Sequence, residues 1–398
     1  MKILQVNNFY AEKSTGKLTA QLHRGLQKQG HTSLVAYGRG RTVSEPGITR
    51  LCSNGYAKVQ NLLSRFTGLP YGGCVLSTGK LLRLIAREKP DVVHLQCING
   101  YFVNIYRLVG WLKKKQIPTV VSLHAEFMYT ANCGHAFECD QWKQGCHRCP
   151  DKKKATKSLL FDRTGASWRK MQKAFQGFSE TCIVTPVSPW TYGRARQGKI
   201  LAGLPMQTVL NGVDTDIFCA GSIREKNPTV LHVTAAFNTA PGHNKGGIYL
   251  AELAKSMPEV TFWVAGVVEE AEALPGNLKL LGEVTDQRAL AELYRRAWVS
   301  ILVSRKETFS MPCAESLCCG TPVVGFKAGA PEQIALAQYS RFAEYGDLEA
   351  LKNWLQEMLG AGFDREALAQ EAACVYSEQT MVQRFLEVYE QCLHNRIK

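Results

Sequence analysis

Residues 303–326 read VSRKETFSMPCAESLCCGTPVVGF. A short apolar run ends near Ser304 and a polar loop carries Glu307. A helix then opens near Met311 and Pro312, and a second apolar run closes the window at Val323–Phe326. Proline suits a first helical turn, where its missing N–H leaves no bond unmade. Short apolar runs alternating with helices predict a parallel sheet covered on both faces. The unit repeats outward. Upstream lie Thr229–Val233, Val260–Val267, Leu278–Leu281 and Val299–Val303, and an earlier series holds Lys2–Val6, Ser33–Tyr37, Val92–Cys97, Thr119–Leu123, Cys182–Val187 and Thr208–Leu210. Residues 211–228, NGVDTDIFCAGSIREKNP, separate the series as a linker. The expected class is α/β: two Rossmann-like, doubly wound parallel-sheet domains, residues 1–218 and 219–378. Residues 379–398 are expected as a C-terminal helix packing back on the first domain. Ligands of such sheets bind at the carboxyl ends of the strands, so the expected site is an interdomain cleft.

The chain has 398 residues, 45% hydrophobic and 21% charged, a globular composition that excludes a disordered chain. No stretch reaches the ~18 apolar residues of a membrane span. The first residues have no apolar core of a signal peptide. A cytoplasmic location is expected, with the 14 Cys as thiols or metal ligands rather than disulfides. Charge is uneven. Residues 1–200 hold 31 Lys and Arg against 10 Asp and Glu, and residues 201–398 hold 17 against 24. A basic half of this kind attracts phosphates, whether of nucleic acid, anionic lipid or a phosphorylated substrate.

Within the opening window, Glu307 sits in the loop and Glu315 on the helix. Amides at Phe309, Ser310 and Met311 would face an anion at the helix N-terminus. Two carboxylates beside such amides suit a ligand carrying both hydroxyls and phosphates; the spacing alone equally suits a surface helix.

The wider order of motifs decides between these. E-x7-E in a strand–loop–helix, followed by GTPVVG, resembles the donor site of retaining GT-B glycosyltransferases of family 4. Lys245-Gly246-Gly247 resembles the family's Lys-Gly, Asn211-Gly212-Val213-Asp214 with Phe218 its NGVDxxxF hinge, and Gly329-Ala330-Pro331-Glu332 its GxPE turn. Ser14-Thr15-Gly16-Lys17 occupies the loop after the first strand, and His124 matches the family's cleft histidine. Two departures stand out. Residues 234–244, TAAFNTAPGHN, lack the Arg that usually precedes the phosphate-binding Lys, leaving Lys245 alone or aided by Arg305 or Lys306. Ser310 stands where many members have Gly.

Residues 133–149, CGHAFECDQWKQGCHRC, carry Cys133, Cys139, Cys146 and Cys149, spaced C-x5-C-x6-C-x2-C. Four soft ligands closed by C-x2-C suit a structural tetrahedral zinc; free thiols are the competing reading. The segment, about 130–165, resembles a Cys-rich insertion of colanic acid and amylovoran-type exopolysaccharide and O-antigen enzymes, as do HLQCINGYFVN (94–104) and AYGRG (36–40). Lys113–Lys115, Lys152–Lys154 and Lys157 flank it, with Tyr106, Trp111, Trp168 and Phe175 interspersed. Aromatics beside cations suit an anionic membrane surface. They also suit single strands, but no nucleic-acid module is visible and no nucleic-acid partner is expected.

The resemblance implies transfer of a hexose from a nucleotide sugar, UDP-linked or GDP-linked, to a polyprenyl-diphosphate-linked oligosaccharide, with retention and no catalytic metal. It assigns the diphosphate to Lys245 and the amides of Phe309, Ser310 and Met311, the donor-sugar hydroxyls to Glu307 and the ribose to Glu315. His124 would meet the transferred sugar, and Gly16 would let its loop approach the ligand. A GT-B nucleotide-sugar 2-epimerase and a non-catalytic nucleotide- or polyanion-binding protein are the rival readings.

Overall fold

The computed structural model describes residues 1–271 and 274–395. The chain divides into two compact units: Met1–Leu210 with the chain from Met381 onward, and Asn211–Thr380. The first unit is built on β1 (Lys2–Asn7), β2 (Thr32–Tyr37), β3 (Ile48–Arg50), β4 (Val92–Leu95), β5 (Thr119–Leu123) and β6 (Cys182–Pro186). They form one sheet in the order β3-β2-β1-β4-β5-β6. All its pairings are parallel; Leu4, for example, lies opposite Leu34 on one side and Val93 on the other. Every residue of β4 and β5 is buried, as helices on both faces require. The helices of this unit include α1 (Lys13–Lys28), α2 (Asn54–Thr67), α3 (Val75–Glu88) and α4 (Ile105–Lys114).

The second unit repeats the plan with β7 (Thr229–Asn238), β8 (Thr261–Glu270), β9 (Leu278–Gly282), β10 (Val299–Leu302), β11 (Val323–Phe326) and β12 (Ser340–Ala343), ordered β12-β11-β10-β7-β8-β9. The sheet grows one way from β7 to β9 and the other way from β10 to β12. The loops leaving β7 and β10 therefore emerge side by side at the switch point, where open parallel sheets hold ligands.

Several sequence expectations change here. Thr208–Leu210 is no strand: Gln207 and Val209 donate to the Val184 and Pro186 carbonyls, both at 3.0 Å, without extending the regular sheet. The short β3 and β12 escaped the pattern because three or four residues carry too little periodicity. The presumed linker is partly anchored, since Val213 bridges to Ser377 and Phe218 is buried. Trp168 and Phe175, expected beside cations at a membrane, are core residues of the first unit, and Tyr106 and Trp111 pack against that core. Lys113 Nζ donates to the carbonyls of Lys173 and Gln176, closing the end of helix Thr164–Phe175, so its head is engaged internally. Lys114 and Lys115 are exposed; the side chain of Lys154 lies outside the described residues.

The last helix runs Glu378–Asn395; the expected segment's residues 396–398 lie outside the described residues. Val382 fills the space beside Gly25, and the Tyr389 hydroxyl meets His94 Nδ1 at 2.8 Å. His94 Nε2 lies 2.7 Å from Ser122 Oγ, and burial pushes the His94 pKa down to about 3. No helix among the described residues is long and apolar enough to cross a membrane.

Candidate functional site

The loop after β7 ends at Lys245, one residue before Gly246. Gly246 has φ +65°, and any Cβ there would overlap the Val303 carbonyl at the end of β10. Only glycine satisfies both demands. The close approach lays the β7 loop along the β10 loop, a contact sealed by the Arg305 amide donating to the Asn244 carbonyl at 2.8 Å. Lys245 Nζ consequently reaches Glu307 Oε1 at 2.7 Å, with the two side chains 26% and 23% exposed. The phosphate and sugar candidates of the sequence thus form one ion pair, open enough for a ligand to meet.

Beyond Glu307 the chain passes buried Phe309 to Ser310, at φ +85°, and enters helix Met311–Cys318 with Pro312 in its first turn. The left-handed backbone at Ser310 is a conformation that glycine would adopt without strain. The Ser310 side chain makes no capping bond, and the first amides of a helix have no intrahelical acceptor. An anion at this terminus is favoured by those amides and the helix dipole. Glu315, one turn into the helix, accepts from the Tyr294 hydroxyl at 3.2 Å. Burial first, and Glu315 second, hold the Tyr294 phenol well above its usual range, so it stays protonated and donates.

Gly329-Ala330-Pro331-Glu332 packs directly against Glu307. The Glu307 amide donates to the Ala328 carbonyl at 2.9 Å, and the Ala330 amide returns to the Glu307 carbonyl at 3.3 Å. Glu332 accepts from the amides of Ala328 and Gly329 at 3.0 and 2.9 Å, so its carboxylate pins the turn that braces Glu307. Two neighbours escaped the sequence reading, Tyr294 and His232. His232 lies buried in β7 with Nδ1 2.9 Å from the Ile301 carbonyl. Burial pushes its pKa to about 4, with Lys245 and Glu307 close enough to contribute opposing charge effects. A histidine in an otherwise apolar strand was its visible signal; nothing in one sequence pairs Tyr294 with Glu315.

In the first unit His124 follows β5, with Nε2 2.9 Å from Gln96 Oε1. Desolvation pushes its pKa to about 4, which keeps it neutral near pH 7. Gly16 lies in the first turn of α1, and a Cβ there would crowd Phe9 of the preceding loop. Its missing side chain therefore serves the packing of its own loop.

Cys133, Cys139, Cys146 and Cys149 are free thiols. Burial raises the Cys133 thiol, and the other three raise it further as electrostatic neighbours; Cys146 is pushed up to about 12. Among the described residues no group of three or more His, Cys, Asp and Glu side chains is arranged to hold a metal ion. The insertion also makes protein contacts of its own. Trp142 is buried, donates to the Cys139 carbonyl at 2.8 Å and lies under the Arg194 guanidinium. Glu126, fully buried, accepts from Arg194 Nη2, the Tyr129 hydroxyl and the Ala136 amide at 2.9, 2.8 and 2.6 Å.

The chain is similar to known proteins along nearly its whole length. Residues 15–217 match the family model "Glycosyltransferase Family 4", and residues 216–360 match "Glycosyl transferases group 1". WcaC of Escherichia coli K12, named as a colanic acid biosynthesis glycosyl transferase, is 21% identical over 98% of this chain and all of its own length. Among solved structures, sucrose-phosphate synthase of Thermosynechococcus elongatus aligns over 98% of this chain and 99% of its own, at TM-score 0.69 and 13% identity. HepE of Anabaena, solved with UDP-glucose, aligns over 98% and 100% at TM-score 0.61 and 15% identity. The shared fold is GT-B. With both halves of the family pattern matched in order, the chain belongs to glycosyltransferase family 4.

Proposed function

We propose that the protein transfers a hexose from a nucleotide sugar, UDP-linked rather than GDP-linked, to a polyprenyl-diphosphate-linked oligosaccharide, with retention at the anomeric carbon. The likeness to WcaC supports a role in bacterial exopolysaccharide or O-antigen synthesis, and HepE, solved with UDP-glucose, supports the donor class. The observation that carries the reading is the Lys245–Glu307 pair at the switch point, beside the opening of helix Met311–Cys318. An arriving diphosphate competes for Lys245 and draws it from Glu307. The released carboxylate then accepts from donor-sugar hydroxyls, while the helix amides stabilise the leaving diphosphate as charge develops. Glu315, held by Tyr294, takes the ribose. His124, neutral, is assigned to the transferred sugar. No residue is offered as a covalent nucleophile, and the leaving phosphate assists removal of the acceptor proton.

The enzyme would work at the cytoplasmic membrane face, where its acceptor resides and where a basic half is attracted to anionic headgroups. The Cys-rich insertion has a structural role in this account. Metal analysis of protein purified without added metal tests zinc there. About one zinc per chain, lost on replacing Cys146 and Cys149, supports it. A folded metal-free protein leaves the segment to Trp142, Glu126 and Arg194.

A panel of radiolabelled nucleotide sugars, offered with a membrane lipid extract, tests the reaction. Label moving to the lipid phase supports transfer. Epimerised donor would turn the assignment to a 2-epimerase, and donor bound but unchanged would leave a binding protein.

A further inference from the structure

Helix α2 is amphipathic in the wrong direction for a core helix. It buries only Ala57 and Ser64. Its apolar stripe, Val59, Leu62, Leu63 and Phe66, follows the i, i+3, i+4, i+7 spacing of a packed face, yet each member is 43–55% exposed. The segment after the Cys-rich insertion enlarges this surface. The Leu159 amide donates to the Arg65 carbonyl at 2.9 Å, seating Leu159, Leu160 and Phe161 at the end of α2, all more than half exposed. At the other end Gln60 accepts from the Cys74 amide at 2.8 Å, which brings exposed Val75 and Leu76 alongside.

The charges around the stripe are mainly basic, with exposed Asp162 after Phe161 and Glu88 paired to Arg87 as the acidic exceptions. From Pro46 to Arg87 the chain carries six Lys and Arg and no Asp or Glu. Lys58, Lys80, Arg83 and Arg87 are exposed, and Arg163 lies over the Phe161 ring. A protein partner would match such a patch with acidic residues at its rim. A bilayer supplies both halves at once, acyl chains for the stripe and anionic phosphates for its margin.

We propose that α2 and the Leu159–Phe161 segment insert into the interface of an anionic bilayer. This deepens the membrane reading above: attachment uses the apolar face of α2, where the sequence had suggested lysine runs with interspersed aromatics. It does not rest on sugar transfer, since it is measured on vesicles without donor or acceptor.

The test is flotation of the full chain with phosphatidylcholine vesicles, with and without phosphatidylglycerol. The wild type is expected to float with the anionic vesicles. The Leu62→Ser/Phe66→Ser variant is expected to bind at least about tenfold more weakly, with unchanged UDP affinity and no loss of thermal stability. A Phe66→Trp variant is expected to gain fluorescence that brominated acyl chains quench. A double variant that floats like the wild type would overturn insertion and leave attachment to charge alone. Self-association of the wild type, abolished in the double variant without vesicle binding, would make the stripe a contact between two copies. No flotation at all would overturn both insertion and membrane attachment, leaving sugar transfer untouched.

Discussion

Lys245 and Glu307 satisfy each other in the free protein, and that fixes how their substitutions should differ. Glu307→Gln removes the carboxylate that competes with phosphate for Lys245. UDP affinity should then hold or rise, while turnover falls by about 10²-fold, the scale of losing one aligned polar contact in the transition state. Titration calorimetry and initial rates separate the two effects; parallel losses of both would contradict the assignment. Glu315→Ala removes a charged hydrogen-bond acceptor worth ~1.5–3 kcal/mol. Nucleotide affinity should drop at least about tenfold, and an unchanged affinity would remove Glu315 from the ribose. Motif order placed Glu307 on the loop after β10 and Glu315 on the helix that follows, where the structure has them. Their partners were not legible. Tyr294 reaches Glu315 from a helix 21 positions upstream, and only packing brings the two together.

At the scale of elements, alternating apolar runs located ten of the twelve strands, because strands buried on both faces need continuous apolar sequence. Periodicity failed where it has no sign. The stripe on α2 reads as a core-facing helix; that small Ala57 and Ser64 go inward depends on tertiary packing, which no local window contains. The Cys-rich insertion shows the same limit, since its spacing announced candidate ligands but gave no sign of buried Trp142 or of the Glu126–Arg194 pair. The final helix was legible as a helix, and its seat is testable. Tyr389→Phe deprives buried His94 of a partner, which should cost ~1–3 kcal/mol. Denaturant titration of the first unit's transition measures it, and an unchanged midpoint would show that His94 finds another bond.

Across the whole molecule, burial of neutral histidines links folding to pH. His94 and His124 in the first unit titrate near about 3 and about 4, and His232 in the second near about 4. The unfolded chain binds these protons near pH 6.5. Folded values are depressed, so stability is full above that pH and is lost as pH falls toward the folded values. Two protons taken up by the first unit amount to roughly 2–3 kcal/mol per pH unit around pH 5. Urea midpoints at pH 7 and pH 5 check this; equal midpoints would contradict the buried neutral state. The same partition bears on function, since the nucleotide is proposed to bind the unit Asn211–Thr380. The most direct test is hydrogen exchange of the full chain with and without UDP. Protection is expected in peptides spanning Asn238–Gly247 and Ser304–Glu315, where Lys245, Glu307 and the helix amides lie. Protection confined to residues 1–210, or none anywhere, would contradict the donor site.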